Sequence, residues 1–523
     1  MTETRCAVCE CPAKSSCSGC HAAFYCGKPH QKQHWKQHKA ACVPYKVAEN
    51  AELGRHLVAI RNIQPGEVIL TNQPLVVGPK QFSDAMCLGC FQPVTADSYR
   101  CACGYPMCGQ RCAASDAHKP ECEATRRSGR KLEIDVSVSP NPLYQAVTLL
   151  RCLALRDTDA WRQLEQLQSH DRERELSGRH AEIDEHAIQL LQYLGVDVDK
   201  EMVYFVCGVL DVNGFEGHLH NVIGLYPRAA LLEHNCSPNT TRTFNDDLTL
   251  VVRASSAVAK GAHITTSYTD PLWGTDNRRY FLRQSKFFDC MCLRCADRTE
   301  FGSELSTLRC PQCEEGRVRC SAPLEPDAPW ACDACDRTLT GAEVSQIVQY
   351  VGEKLVNIEK GSVAAAEAFI KAFAPVLAPT HFYMCDVKTA LCLLYGKDSE
   401  DETTVLTSAE ADRKEEIASE LLAVLEKVYP GQSRLRGILL YELQTAIMRK
   451  AQIEVESGSL SALDWRMRAQ ACMDRLHETV EVLQREPASS SEHHLAERAS
   501  GELEALTKVL AVTGMRAFMA GDA

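Results

Sequence analysis

Residues 290–295 read CMCLRC and place Cys290, Cys292 and Cys295 within six positions. A structural zinc ion takes four ligands in a tetrahedron. The segment that follows, ADRTEFGSELST (296–307), contains neither cysteine nor histidine. The cluster therefore predicts a zinc site whose last ligand comes from elsewhere in the chain.

Length and composition set the broad class of the protein. A chain of 523 residues is too long for one core, which predicts roughly two to four domains. Hydrophobic residues make up 45% and charged residues 24%, as in ordinary globular proteins. The formal net charge of −12 argues against a general nucleic-acid coat. The opening MTETRCAVCE lacks the apolar core of a signal peptide, and no run is long enough to span a bilayer, so we expect an intracellular protein.

The 28 cysteines are concentrated in short pairs within the first 122 residues and between 236 and 335. In a reducing compartment such clusters are more often metal ligands than disulfides. The first cluster offers eight ligands for two zinc ions, and a helix predicted over 28–41 puts its i, i+4 pairs on one face. Its ligands are CAVC (6–9), CSGC (17–20), Cys26, His30, His38 and Cys42.

Two further clusters follow the same logic. The second repeats the order of the first and predicts two zinc ions, held by CLGC (87–90), CAC (101–103), Cys108, Cys112, His118 and Cys122. The third is a ribbon of two knuckles, CPQC (310–313) and CDAC (332–335), which predicts one closed structural ion. Each ion can contribute on the order of 10 kcal/mol of folding free energy, which small loop-rich modules need.

Between the clusters the hydrophobic pattern changes. ELGRHLVAIRNIQPGEVILTNQPLVVGP (52–79) predicts strands joined by turns, because short alternating runs are broken by PG and NQP. Residues 143–200 are mostly helical by periodicity, and from about 341 repeated amphipathic stretches predict helices. The helices of this C-terminal region form either stacked helix pairs or a plain helical bundle.

The order of these pieces resembles the SMYD family, in which a split SET domain carries a MYND zinc finger. The matching motifs are GRHLVA, VNGFE, GLYP, EHNCSPN, AKGAHITTSY and the cysteines of CMCLRC. The extra N-terminal finger, YTDPLWGTDNRRYFL and the CPQC–CDAC ribbon are most similar to arthropod members. The resemblance implies an α+β multidomain fold, with a β-rich SET core with inserted helices, several small zinc-binding modules and an all-α TPR-like C-terminal domain.

The resemblance also implies domain boundaries. We expect a MYND finger at 1–45, the N-terminal part of SET at 46–84, a MYND-like insert at 85–125, a helical SET insertion at 126–200, core SET at 201–285, a post-SET zinc loop at 286–300, a zinc ribbon at 301–340 and a helical TPR-like domain at 341–523.

The same resemblance pairs the zinc ligands, for about six ions in all. In proteins of this type the cysteine of the NHSC-like motif, here Cys236, is the fourth ligand of the post-SET zinc. The six expected sets are Cys6, Cys9, Cys26 and His30; Cys17, Cys20, His38 and Cys42; Cys87, Cys90, Cys108 and Cys112; Cys101, Cys103, His118 and Cys122; Cys236, Cys290, Cys292 and Cys295; and Cys310, Cys313, Cys332 and Cys335.

The implied activity is protein-lysine methylation with S-adenosylmethionine as donor. An amine with a pKa near 10.4 must lose its proton before it attacks, and an apolar channel ending at a sulfonium disfavours the ammonium form. By resemblance Tyr268 is the catalytic tyrosine. The expected cofactor contacts are Gly54, Arg55, His56, Asn213, Glu233, His234 and Phe288.

Three residues depart from the family pattern. His56 stands where many relatives have a second glycine, and Glu233 replaces the asparagine of the NHSC motif. Lys286 occupies the place of a second tyrosine, which removes a hydroxyl from the lysine channel and opposes a cationic substrate unless the side chain points away. These departures favour an alternative to the enzyme, namely a catalytically weak or silent SET scaffold that acts as a zinc-finger adaptor for corepressor proteins.

The resemblance further implies partners and location. We expect a monomer of nucleus and cytoplasm that acts on histone or non-histone lysines in chromatin and regulates transcription. Its MYND fingers are expected to recruit transcriptional corepressors or histone deacetylases. Direct DNA binding through the basic helix 28–39 is not expected, because the pattern of aromatic and phosphate-reading residues is missing.

Overall fold

The computed structural model describes residues 5–17, 23–197, 199–217, 221–313, 315–396 and 406–520. The strands are β1 (Ser15–Ser16), β2 (Phe24–Tyr25), β3 (Tyr45–Asn50), β4 (Gly54–Ala59), β5 (Val68–Asn72), β6 (Val76–Pro79), β7 (Tyr99–Arg100), β8 (Pro106–Met107), β9 (Gly214–Gly217), β10 (Val222–Leu225), β11 (Glu233–His234), β12 (Thr240–Phe244), β13 (Leu250–Ala254), β14 (Thr265–Thr266), β15 (Leu308–Arg309), β16 (Arg317–Cys320), β17 (Trp330–Cys332) and β18 (Thr338–Leu339).

The α-helices are α1 (Lys28–Ala41), α2 (Gln110–Ala113), α3 (Lys119–Arg127), α4 (Val147–Leu153), α5 (Asp159–Leu164), α6 (Asp171–Leu176), α7 (Arg179–Ile183), α8 (Gln189–Tyr193), α9 (Lys200–Asn213), α10 (Thr275–Ser285), α11 (Leu293–Ala296), α12 (Gly341–Val356), α13 (Val363–Phe373), α14 (Phe382–Leu394), α15 (Ser408–Val428), α16 (Arg434–Glu456), α17 (Ala462–Leu483) and α18 (Ser491–Ala520). The predicted strands of 52–79 and the predicted helices of 28–41, 143–200 and the C-terminal region all form.

Small sheets from distant parts of the chain build the β-rich core. The hairpin β3–β4 stands beside the antiparallel sheets β6–β10–β9 and β12–β13–β5, while β11 pairs in parallel with β14. Alternate apolar side chains such as Leu57, Leu70, Leu250 and Ile264 point inward and form one cluster. The parallel pair matters most for function, because it sets the segment at Glu233–His234 against Thr265–Thr266.

The second finger shares its core with the helical insertion. Leu88 and Met107 of the finger, Leu150 of α4 and Val206 of α9 belong to one buried cluster. A folded finger therefore also supports α9, the helix that ends beside the candidate site.

The C-terminal helices pack in chain order, α15 on α16, α16 on α17 and α17 on α18. Capping boxes begin α12 and α15, where a threonine side chain accepts from the helix and a glutamate accepts from the cap. The ribbon strands β15–β18 share one apolar cluster with α12–α16, so the ribbon rests on these helices. The α+β multidomain prediction is confirmed; the domain boundaries and the TPR-like arrangement stay predictions.

The helical region also docks against the β-rich core. The Tyr429 hydroxyl donates to the carbonyl of Thr240 at 3.0 Å, and the backbone N–H of Gln432 donates to the carbonyl of Ser255 at 2.8 Å. Gly431 has a φ of +86°, and a Cβ there would lie 2.1 Å from the Ser255 carbonyl oxygen. The contact therefore requires glycine. Among the described residues no helix is long and apolar enough to cross a membrane.

Candidate active site and metal centres

The four thiols of the post-SET cluster meet at one point. The Sγ atoms of Cys236, Cys290, Cys292 and Cys295 all lie within 4.8 Å of one another. Cys236 Sγ is 3.8 Å from Cys290 Sγ and 3.5 Å from Cys295 Sγ. A tetrahedron with Zn–S bonds of about 2.3 Å has S–S edges of about 3.8 Å. The remote ligand expected at Cys236 is thus in place, and the donor set fits zinc.

The cysteines that the structure describes are all free of disulfides. Buried thiols this close together are stable when a metal ion draws them in as thiolates. Cys236 lies two residues after β11, and the other three come after α10, with Cys295 inside the short helix α11. One ion would therefore tie the post-SET loop to the strand pair β11–β14.

A buried charge network surrounds this cluster. Arg278 donates to Cys295 Sγ at 3.6 Å, and Arg294 donates to the Cys236 carbonyl at 2.9 Å. Both guanidiniums pair with Glu300, at 2.6 Å and 3.0 Å, and all three residues are at most 2% exposed. Burial works to raise the pKa of Glu300, but the two arginines outweigh it and hold that pKa below its ordinary value.

This network explains how the cluster tolerates burial. Four thiolates around Zn²⁺ would leave two excess negative charges, which the two arginines offset, and Glu300 holds both guanidiniums in place. Sequence reasoning missed these three residues, because nothing in the spacing of NRRYFL or LRCADRTE distinguishes them from surface charges.

Other expected zinc sets also meet in space. Their ligand atoms lie within 4.8 Å of one another in each of four groups: Cys6, Cys9, Cys26 and His30; Cys87, Cys90, Cys108 and Cys112; Cys101, Cys103, His118 and Cys122; and Cys310, Cys313, Cys332 and Cys335. In the remaining set, Cys17 Sγ and Cys42 Sγ are 3.8 Å apart and His38 is buried. Its fourth member, Cys20, lies outside the described residues.

The second finger carries an additional supporting shell. His118 Nε2 lies 3.4 Å from Cys103 Sγ, while His118 Nδ1 lies 3.0 Å from a carboxylate oxygen of Glu121. Glu121 is fully buried and receives two hydrogen bonds from Arg151, at 2.6 Å and 3.1 Å. A carboxylate behind a histidine fixes the tautomer that binds zinc through the other nitrogen. Burial lowers the pKa of His118, but Glu121 outweighs it and the net shift is upward.

Sequence reasoning also missed Glu121 and Arg151. Two signals were present. Glu121 stands three residues after His118, on one helical face, and Arg151 is a lone cation within the apolar run LYQAVTLLRCLAL.

The predicted catalytic tyrosine is linked to the post-SET cluster through His234. His234 Nδ1 accepts from the backbone N–H of Tyr268 at 3.0 Å, so Nε2 carries the proton and lies 3.2 Å from Cys236 Sγ. Both ring nitrogens of this predicted cofactor contact are therefore used within the protein. His234 therefore links the thiol of Cys236 to the backbone N–H of Tyr268.

Tyr268 keeps its hydroxyl neutral. The side chain is half-buried, and its hydroxyl donates to the carbonyl of Leu232. Burial, reinforced by the negative charge of Glu233, raises the pKa of Tyr268 well above its usual value. A hydroxyl of this kind can position a polar group but cannot act as a base.

Two expected cofactor residues hold the helical insertion. Arg55 donates to the carbonyl of Gln166, and the Asn213 amide donates to the carbonyl of Gln168 at 2.7 Å. Gly54 has a φ of +62°, and a Cβ there would meet nothing within 4 Å. The backbone of Gly54 therefore offers open space for close approach of a ligand.

His56 and Glu233, two of the departures, are joined through His263. His56 is only 3% exposed, and its ring stacks on His263 with centroids 4.7 Å apart. His263 Nδ1 in turn lies 2.9 Å from the Glu233 carboxylate. The imidazole of His56 is thus held by a neighbour, and Glu233 is positioned by a hydrogen-bond partner that sequence reasoning did not find.

Lys286, the third departure, does not point away from the site. Its Nζ donates to the carbonyls of Asp211 at 2.9 Å and Val212 at 2.7 Å, and lies 5.9 Å from the ring centroid of Tyr268. Burial lowers the pKa of Lys286 to about 8.

Phe288, the last of the expected cofactor contacts, is 36% exposed. Its ring lies 5.9 Å from that of His234.

Comparison with known protein families matches two regions of the chain. A MYND finger family matches residues 6–42 and a SET domain family matches residues 54–269. The matched SET region begins at Gly54 and ends one residue after Tyr268. The chain is therefore a SET-domain protein that carries a MYND finger.

Individual relatives narrow the class. The Drosophila melanogaster SET domain-containing protein SmydA-8, isoform A, is 30% identical over 420 residues, 76% of this chain and 88% of that protein. Arabidopsis thaliana histone-lysine N-methyltransferase ASHR1 is 29% identical over 48% of this chain and 55% of that protein. Human N-lysine methyltransferase SMYD2 is 33% identical over 19% of this chain and 24% of that protein. The chain belongs to the SMYD family and is of the arthropod type.

Solved structures add little. The crystal structure of the SET domain of LSMT bound to lysine and AdoHcy aligns with this chain at 13% identity and a TM-score of 0.29. The alignment covers 92% of this chain and 93% of the LSMT chain. A superposition this loose carries no argument.

Proposed function

We propose that this chain is a protein-lysine N-methyltransferase that uses S-adenosylmethionine and acts on lysines of histone or other proteins. The observation that carries the proposal is the unit of Tyr268, His234 and the Cys236 cluster, at the end of the region that matches the SET domain. Several relatives are named as lysine methyltransferases, which favours the enzyme over a silent scaffold.

The residues of the site have distinct roles in this proposal. The open backbone at Gly54 and the side chains of Asn213, Glu233 and Phe288 hold the donor, which when bound supplies a methyl group on a sulfonium sulfur. Tyr268 stays protonated and fixes the direction of the acceptor amine with neighbouring carbonyls. Alignment of this kind supplies much of the rate enhancement in transfer between two bound groups.

The acceptor lysine must lose its proton to react. A buried setting disfavours the ammonium form, and water takes the proton as the side chain enters. Because Tyr268 and the surrounding carbonyls are weak bases, the site selects the neutral amine and does not generate it. Activity is therefore expected to rise with pH.

The zinc fingers are proposed to recruit other proteins, including transcriptional corepressors or histone deacetylases. The corresponding location is nucleus and cytoplasm, the role is regulation of transcription on chromatin, and the active form is a monomer. Recruitment of other proteins is supported by membership of the family and by the several Cys and His clusters that could hold zinc.

Calorimetric titration tests the proposal. S-adenosylmethionine titrated into the zinc-loaded protein should bind with one site per chain, and peptide libraries should gain methyl groups. Tyr268→Phe keeps the ring and should retain binding while losing transfer roughly a hundredfold. Absence of binding at high micromolar donor would refute the enzyme, whereas binding without transfer to any peptide would leave only a vestigial site.

A further inference from the structure

Lys286 follows α10 and turns its amine back into the candidate site. The Nζ atom is held by two main-chain carbonyls, those of Asp211 and Val212, at the end of α9. The next residue along α9 is Asn213, an expected donor contact. On its other side Nζ faces the ring of Tyr268, 5.9 Å from the centroid.

This environment matches what the proposed reaction asks of an acceptor amine. Carbonyl oxygens direct the nitrogen, a neutral tyrosine lies beside it, and the side chain is half-buried. The charged groups that face it are Asp211 and Glu216, which favour the ammonium, and Arg242, which opposes it. Burial adds to the effect of Arg242, and together they hold the pKa of Lys286 at about 8. A substantial fraction of the amine is therefore neutral slightly above neutral pH.

We propose, on the basis of the proposed function, that Lys286 is a methyl acceptor within its own chain. Its Nζ lone pair forms a bond to the methyl carbon of S-adenosylmethionine as the bond from that carbon to sulfur breaks. The donor leaves as S-adenosylhomocysteine, and the proton from the amine passes to water. A monomethylated Lys286 keeps its charge and has two N–H donors left for the two carbonyls, and each further methyl group removes one donor.

Mass spectrometry of the purified, zinc-loaded full chain tests this directly. After incubation with S-adenosylmethionine, peptides that contain residue 286 should carry one or more methyl groups, while exposed Lys260 in the same sample should carry none. Lys286→Arg should abolish the signal, and Tyr268→Phe should reduce it roughly a hundredfold. The rate should be independent of protein concentration, because acceptor and site belong to one chain.

A second readout needs no donor and no variant. Acetic anhydride applied across a pH series should label Lys286 with a midpoint near 8, compared with about 10.4 for an exposed lysine. Bound S-adenosylhomocysteine should protect Lys286 and leave Lys260 unprotected. A midpoint near 10.4 without protection would overturn the placement on which the inference rests.

The outcomes separate this inference from the proposed function. If the donor binds and external peptides are methylated while Lys286 stays unmodified, the inference fails and the enzyme stands. If a tagged Tyr268→Phe chain gains methyl groups at Lys286 from wild-type protein, transfer is between molecules and the inference fails. If calorimetry detects no donor binding, both proposals fail.

Discussion

Replacing Glu121 by glutamine tests the buried shell behind the second finger. The carboxylate is fully buried, receives two hydrogen bonds from Arg151 and lies 3.0 Å from His118 Nδ1. Breaking a buried ion pair costs about 3–5 kcal/mol, and losing the carboxylate behind a zinc-binding histidine lowers zinc affinity about 10- to 100-fold. Arg151 also donates to the carbonyls of Val77 and Leu88, each at 2.8 Å.

These remaining partners place the expected effect at the lower end of both ranges. Glutamine still offers an oxygen to His118, and Arg151 retains main-chain acceptors. We therefore expect a loss of about 3 kcal/mol in local stability and about tenfold in the affinity for one zinc ion. Adding Arg151→Met to Glu121→Gln should restore part of the stability, because no lone buried charge remains.

The assay is competition for zinc with a chromogenic chelator. The chelator should remove one zinc ion from the Glu121→Gln protein at about a tenfold lower chelator concentration than it needs with the wild type. Glu123→Gln is the matched control, since Glu123 is exposed on the same helix α3. Equal zinc retention by the two variants would refute the assignment of Glu121 as the support of a zinc-binding His118.

Three further predictions follow from the site. Glu300→Gln leaves two buried arginines without their carboxylate and should destabilise the protein by about 3–5 kcal/mol, visible as a lower midpoint of thermal unfolding. The pKa of Lys286 is about 8 in the folded chain and about 10.4 in the unfolded chain. Between these two pH values the unfolded chain binds more protons than the folded chain, so the free energy of unfolding should rise with pH by up to about 3 kcal/mol. Lys286→Met should lack this rise in denaturation measured from about pH 8 to about pH 10.4; the same rise in the variant would contradict the burial of the amine. His263→Ala removes the partner of Glu233 and should weaken S-adenosylmethionine binding about tenfold by calorimetry, whereas Lys260→Ala should not; equal affinities would show that Glu233 needs no such support.

The metal ligands could be predicted from the sequence because zinc chemistry constrains local spacing. The ribbon follows from its two knuckles alone, and the eight-ligand clusters follow from short pairs with helical i, i+4 spacing. The fourth ligand of CMCLRC could not be found this way. Cys236 lies far upstream, and only the ordered resemblance to a family identified it.

The supporting groups and the directions of side chains could not be predicted. Glu121, His263 and Glu300 act through partners that the fold brings together from distant segments, so no local pattern reveals them. Lys286 was recognised as a departure, but its direction is set by the carbonyls of Asp211 and Val212, which lie far away in sequence. Asn213 was expected to contact the donor, yet its amide also holds the helical insertion through Gln168.

One metal ion is expected to join the post-SET loop to the segment after β11, the strand that pairs with β14 just ahead of Tyr268. Anomalous diffraction from crystals of the protein, recorded on both sides of the zinc absorption edge, tests it most directly. We expect one zinc peak about 2.3 Å from the Sγ atoms of Cys236, Cys290, Cys292 and Cys295. Cys236 turned to solvent, or bridged to another cysteine with no zinc signal there, would refute this metal bridge.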